Sequence, residues 1–364
     1  MNILYLSNLS AKNFAGPTYS VPRQILAQSK VDHVFWYNIS KVDKTKFKSL
    51  FDVYTSEDYP DETIASLPAP FNHPDLIVVE QFYMFKLHKI FREIIRMKVP
   101  FVIVPRGEFT AEAQHRKFLK KCICNHLYFY FITRSAAAIQ YLTEREAVHS
   151  GKCWNSHYLV VPNGIEMPDQ AKITQKFNST GLTISYIGRI EKYQKGLDLL
   201  IEACAKVRDL LVKEHCKINI YGPDREGSKA VLLKMIQQKE LASHVFMYDG
   251  VYGKEKGKVL LDSDIFIMTS RSEGQPMAIL EALAYGVPCF AAEGTNMAET
   301  IVANHAGWGC KNKVEEIAAL LAEILKDRPD FEKMSENARL LAQKYDWNFL
   351  AKEAHEKYEE ILRR

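Results

Sequence analysis

At 364 residues, 47% of them hydrophobic and 25% charged, the chain is too long for one ordinary core and too evenly mixed to be disordered or fibrous. Its seven cysteines (Cys122, Cys124, Cys153, Cys204, Cys216, Cys289 and Cys310) form no CxxC pair, so neither a disulfide scaffold nor a zinc knuckle is expected. The net charge of +4 is unevenly spread: residues 1–180 hold 22 Lys/Arg against 16 Asp/Glu, whereas residues 181–364 hold 26 against 28.

The chain opens on MNILYLSNLS, which lacks the basic and long apolar regions of a signal peptide and reads as a first core strand. Further strands are expected at 33–37, 76–79, 101–104 and 158–161, with helices at 17–29, 84–97, 112–125 and 143–150. Strands without polar alternation, separated by helices, are what a parallel sheet covered on both faces requires. Residues 42–72 read as loops. After a polar stretch at 163–181 the rhythm restarts, with strands beginning at 182, 217, 244, 264 and 287 and helices from Leu197 and near 227–239. The end of the chain shows only helical periodicity, at about 313–326, 331–344 and 347–363. Two doubly wound α/β units with a ligand cleft between them follow from this order. The longest apolar runs, such as LYFYFI at 127–132, are far shorter than the roughly 20 residues that span a bilayer. The thiols read as reduced, as in a cytosolic protein.

Two stretches carry chemistry. In DIFIMTSRSEGQPMAILEALAYG (264–286) a buried strand runs through a polar loop into a helix opened by Gly274 and Pro276. The N–H groups of Met277, Ala278 and Ile279 are expected to attract negative charge, helped by the helix dipole. Glu281 lies in an otherwise apolar helix, where a carboxylate needs a partner; a neighbouring Lys or Arg is one answer, a ligand another. In SYIGRIEKYQKGLDLLIEA (185–203) Arg189 and Lys195 sit on a strand-to-helix crossover, where two cations can clamp a diphosphate or simply remain solvated.

Together these stretches resemble the retaining GT-B glycosyltransferases of glycosyltransferase family four, of the polysaccharide-assembly type. The matching features are Gly188-Arg189 with Lys195-Gly196, the Glu273…Glu281 spacing within EGQPMAILE, and Asn163-Gly164-Ile165 at a domain junction. The resemblance runs over about 158–310. It implies a GT-B fold, with an acceptor-binding Rossmann-like domain at 1–165 and a donor-binding one at 166–346, and a helix at 347–364 returning to the first. It implies that Arg189 and Lys195 hold the donor diphosphate and stabilise the leaving group, with Glu273 beside the donor sugar as the third catalytic residue. Glu281 would accept from the ribose hydroxyls. Gly188, Gly274, Gln275, Pro276, Met277 and Ala278 would line the donor pocket, and Gly250 and Val251 would lie by the base.

The first half matches less closely. NFAGPTYSVPRQIL places Gly16 where the family has a glycine-rich loop, but Pro17 removes one N–H donor. PRGEF offers Arg106 for a phosphate and Glu108 for a sugar, or an Arg–Glu pair that merely orders a loop. No chelating Asp pair and no catalytic His is evident, so no metal or cofactor is expected.

The implied activity is transfer of a hexose or N-acetylhexosamine from a nucleotide-diphosphate sugar, UDP by family frequency. The implied acceptor is a saccharide, lipid-diphosphate-linked, in bacterial surface polysaccharide (O-antigen or capsule) synthesis. Residues 86–121, with ten basic residues against three acidic ones, suggest contact with an anionic membrane face by a cytoplasmic, peripheral protein. A nucleotide-sugar epimerase on the same fold and a non-catalytic nucleotide-sugar-binding protein remain alternatives. A dehydrogenase is disfavoured by the missing GxGxxG, and nucleic-acid binding by the missing stacking signatures.

Overall fold

The structure, a computed structural model, describes residues 1–9, 16–84, 88–115, 118–171, 181–224, 227–327 and 330–363. Phe85, Lys86, Arg116 and Lys117 of the basic segment therefore lie outside the described residues, as do residues 13–15 ahead of Gly16. The chain divides into two compact units, Met1–Gly164 with Trp347–Arg364, and Ile165–Asp346.

The first unit is built on a seven-stranded sheet of β1 (Asn2–Ser7), β2 (His33–Asn38), β3 (Tyr54–Thr55), β4 (Leu76–Glu80), β5 (Phe101–Val104), β6 (Ala138–Tyr141) and β7 (Tyr158–Val160). The order is β3-β2-β1-β4-β5-β6-β7 and every pairing is parallel. Ile3 pairs with Val34 on one side and with Leu76 on the other. Alternate residues of β1 feed two cores: Leu4 and Leu6 join Phe35 and Phe91, whereas Ile3 and Tyr5 join Val21, Ile25 and Tyr358. A strand buried on both faces needs no polar alternation, as the sequence of β1 shows.

The last helix, Trp347–Leu362, completes the second of these cores. Tyr358 donates to Gln140 Oε1 at 2.6 Å and Lys357 to the Val160 carbonyl at 2.6 Å. His355 Nδ1 lies 2.9 Å from Asp32.

The second unit holds a six-stranded parallel sheet of β8 (Thr183–Ile187), β9 (Lys217–Tyr221), β10 (Val245–Tyr248), β11 (Ile265–Met268), β12 (Cys289–Ala292) and β13 (Gly307–Cys310), in the order β10-β9-β8-β11-β12-β13. In both sheets the winding reverses once, between β1 and β4 in the first and between β8 and β11 in the second. Loops leaving the carboxyl ends of the strands at such a reversal diverge and leave a crevice, the usual ligand site of an open α/β sheet.

Candidate active site

The loops after β8 and β11 bring together residues about 80 positions apart in the chain. β8 leads into Gly188-Arg189 and then to the helix Leu197–Lys206, while β11 leads through 269–276 to the helix Met277–Ala284. The two crossovers are tied through backbone carbonyls of the first. Arg271 N–H donates to the Gln194 carbonyl at 2.8 Å, and Thr269 Oγ1 to the Gly196 carbonyl at 2.9 Å. Gly196 has φ +63°, and a Cβ there would lie 2.0 Å from the Thr269 carbonyl oxygen, so only glycine allows this approach. The Lys195-Gly196 pair thus has a local reason: the glycine lets Lys195 reach the second loop.

There Lys195 Nζ forms an ion pair with Glu273, at side-chain exposures of 10% and 14%. Arg189 lies in the same crossover, its guanidinium 3.2 Å from Glu191 and its carbonyl accepting the Tyr186 hydroxyl at 3.0 Å. Burial raises the Tyr186 phenol well above its ordinary value, and the nearby Glu273 charge raises it further. Tyr186 therefore stays a neutral hydrogen-bond donor beneath the charged cluster.

The 269–274 loop is held from behind by three devices that sequence reasoning did not find. Asn296 donates to the carbonyls of Glu273 and Gly274, at 2.6 and 3.1 Å. Asn312 donates to those of Thr269 and Ser270, at 2.9 and 3.0 Å, while its own carbonyl accepts from Gly294 N–H at 2.8 Å. Gly294 packs against this loop so closely that a Cβ would lie 2.4 Å from the Arg271 carbonyl oxygen. The third device is a two-pronged ion pair of Arg271 with Asp198, at 2.7 and 2.9 Å. All these partners lie 20 to 75 residues away in the chain, with no spacing that marks them.

At the helix start Pro276 is the cap residue, and its carbonyl accepts the Ile279 N–H at 3.1 Å. This corrects the expectation for Ile279, whose N–H is satisfied internally. Met277 and Ala278 remain in the first turn, where an intrahelical acceptor does not exist. Gly274, Gln275 and Pro276 are buried, Met277 and Ala278 half-buried. Glu281 pairs with Lys256, a residue not singled out beforehand, from the helix Gly253–Asp262. Gly250 and Val251 follow β10, with Val251 buried. Tyr221 and Tyr248, at the ends of β9 and β10, stack at 4.8 Å between ring centres.

The first unit's reversal is arranged differently. Arg106 is almost wholly buried, with φ +50°, and pairs with Glu80 at 2.6 Å at the end of β4. Its remaining donors reach Gln24 Oε1 and Asn163 Oδ1, both at 2.8 Å, and Ser20 Oγ at 3.2 Å. Glu108 accepts from the N–H groups of Phe82 and Tyr83, at 2.8 and 3.4 Å. Burial raises its carboxyl above the ordinary range, against the pull of those N–H groups and of Lys121. An Arg106–Glu108 pair is therefore not what orders this loop: Arg106 turns to Glu80, and Glu108 is held by backbone. Beside them Glu146 accepts from Gly107 N–H and from Leu142 N–H, the latter at 2.8 Å. Burial pushes its pKa up to about 7. Gly16 opens the helix Gly16–Gln28, and nothing lies within 4 Å of where its Cβ would be.

In the basic segment the exposed cations are Lys89, Arg92, Arg96, Lys98 and Lys120; Phe91 is buried, while Phe118 and Leu119 are exposed. All seven cysteines are free thiols. Among the described residues no three His, Cys, Asp or Glu side chains are grouped to hold a metal ion, and no helix is long and apolar enough to cross a membrane.

This geometry coincides with a sequence match. Residues 169–341, nearly all of the second unit, match the family described as Glycosyl transferases group 1. The chain is 28% identical over 151 residues to the Putative colanic acid biosynthesis glycosyltransferase WcaL of Escherichia coli, covering 40% of this chain and 36% of that protein. Over 106 residues it is 37% identical to the poly(ribitol-phosphate) alpha-N-acetylglucosaminyltransferase of Staphylococcus aureus, covering 28% of this chain and 20% of that one. The chain thus spans less than half the length of these curated relatives. Over nearly its full length, 99% of this chain and 100% of the other, it superimposes on Anabaena HepE, solved in complex with UDP and glucose, with a TM-score of 0.70 at 17% identity. The chain thus has the GT-B fold of two Rossmann-like domains, and residues 169–341 of its second unit match the group 1 glycosyl transferase model.

Proposed function

We propose that the chain is a retaining glycosyltransferase that moves a hexose or N-acetylhexosamine from a UDP-sugar to a lipid-diphosphate-linked saccharide in bacterial surface polysaccharide assembly. The observation that carries this reading is the cluster at the β8/β11 reversal, where Lys195 meets Glu273 and Arg189 stands on the same crossover. UDP is supported by the UDP and glucose named in the HepE complex, and polysaccharide assembly by the name of WcaL.

Without donor, Glu273 compensates the charge of Lys195. A diphosphate brings more negative charge than one carboxylate and competes for that cation, with Arg189 as its second contact. Glu273, released toward the donor sugar, then faces the positive charge that develops as the glycosidic bond breaks. Lys195 and Arg189 stabilise the departing diphosphate in a largely desolvated setting, where fixed charges are worth most. In front-face transfer the leaving phosphate oxygen takes the proton of the incoming hydroxyl, so that the new bond forms on the face the nucleotide leaves and no protein base is required. Glu281 and Lys256 form the adjoining pair, and the carboxylate accepts from the ribose hydroxyls.

The test is incubation with UDP-sugars and a polyprenyl-diphosphate saccharide, with the product's anomeric configuration read by NMR. The reading predicts the donor's configuration in the product and full turnover in EDTA. Inversion, or turnover abolished by EDTA, would contradict it. Conversion of a UDP-sugar to its epimer without acceptor would favour the epimerase reading.

A further inference from the structure

Half of the exposed large apolar side chains among the first unit's described residues fall in one row. From Phe118 to Ser135 the chain is continuously helical, as an α-helix at Phe118–Cys124, a π turn at Asn125–Phe129 and an α-helix at Tyr130–Ser135. Asn125, Phe129, Ile132 and Thr133 are buried. Four positions spaced by four, Leu119, Ile123, Leu127 and Phe131, are 76%, 59%, 80% and 63% exposed. In a regular α-helix such a row drifts about 40° per step. The π turn holds more residues per turn and rotates the row back, which keeps all four on one face. Single exposed apolar residues are ordinary, but a contiguous row is not.

Within the row's own helical segment the charges have one sign. Residues 118–135 contain no Asp or Glu, and Lys120 and Arg134 are exposed. The helix His88–Met97 adjoins it: Phe91 and Tyr128 share a core, and Arg92 acts electrostatically on the Tyr128 phenol. Lys89, Arg92, Arg96 and Lys98 are exposed there. The one carboxylate of that helix, Glu93, is turned inward, accepting from Ile64 and Ala65 N–H at 2.7 and 3.0 Å.

We propose that this face docks on an anionic lipid bilayer, with Leu119, Ile123, Leu127 and Phe131 entering the headgroup–acyl boundary and the flanking cations meeting lipid phosphates. An exposed apolar row edged by Lys and Arg is the arrangement that binds such an interface, which accepts it without a shaped partner. A second copy of the chain would set six cations against six. The inference is independent of the donor reading, since it uses no residue of the second unit.

Flotation of the full chain with phosphatidylcholine–phosphatidylglycerol vesicles, and with pure phosphatidylcholine vesicles, tests it. At low salt the protein should float with the anionic vesicles, and high salt should weaken the association. Ile123→Ser with Leu127→Ser should lower partitioning more than about tenfold. Lys120→Glu with Arg134→Glu should lower it by about the same factor on anionic vesicles alone. Both pairs lie at exposed positions, so an unchanged unfolding temperature and an unchanged response to nucleotide-sugars would show fold and donor site intact. Wild-type protein that ignores anionic vesicles, or a serine pair that floats like wild type, overturns the proposal; binding confined to an acidic protein would do the same.

Discussion

The two units share one topology and use its reversal point in opposite ways. In the second unit the paired charges after β8 and β11, Lys195 and Glu273, keep side-chain exposures of 10% and 14% and can exchange partners. In the first unit Arg106 and Glu80 are sealed in, and the guanidinium is also committed to Ser20, Gln24 and Asn163. An ion pair that keeps some exposure and has no further committed partners can give way to a ligand. A sealed pair with further hydrogen bonds instead fixes the loop that carries it, because breaking it strands a buried charge.

The largest effect expected from this contrast is on stability. Arg106→Ala leaves Glu80 buried and unpaired and should cost about 3–5 kcal/mol, read as a lowered denaturation midpoint. Arg106→Leu with Glu80→Leu should recover much of that loss. A variant of Arg106 that keeps wild-type stability yet loses donor affinity would break the comparison and return Arg106 to the donor site.

In the second unit the same kind of truncation should act on turnover. Lys195→Ala or Arg189→Ala should lower kcat more than about tenfold, or over about 1.4 kcal/mol in barrier, with little change in unfolding temperature. Unchanged kinetics in both variants would remove the diphosphate assignment.

A pH-dependent effect concerns Glu146, whose pKa of about 7 lies above that of an exposed carboxyl. Between the unfolded value and about 7 the folded protein binds more protons, so this group's contribution falls as pH rises through that window. The slope is at most about 1.4 kcal/mol per pH unit. Glu146→Gln should flatten the wild-type decline; an identical pH profile in the two proteins would place the titration elsewhere.

Much of the scaffold was legible in the sequence, because doubly buried strands are continuous apolar runs and β1, β4, β5 and β11 carry just such runs. The strands overlooked, β3, β6 and β13, are short and weakly marked: Tyr54–Thr55 has two residues, AIQY contains Gln140, and GWGC is half glycine. The run LYFYFI was legible as apolar but not as helical, since its period is broken by the π turn. At the candidate site, Gly188, Arg189, Lys195, Glu273 and Glu281 stand in local motifs. Their supports, Asn296, Asn312, Asp198 and Lys256, do not, because a hydrogen bond across the fold leaves no spacing to read. Arg106 shows the converse: the neighbouring Glu108 was the visible partner, while the actual one, Glu80, comes from the adjacent strand.

The central claim, that the cluster at the β8/β11 reversal is the donor site, is tested most directly by a thermal-shift panel. UDP-, GDP- and ADP-sugars would be added to wild type and to a Lys195→Ala, Glu281→Ala double variant. One nucleotide-sugar should stabilise wild type, by about 2.7 kcal/mol at a hundredfold excess over Kd, and should leave the variant nearly unmoved. Equal stabilisation of both proteins, or of neither by any donor, would contradict the account.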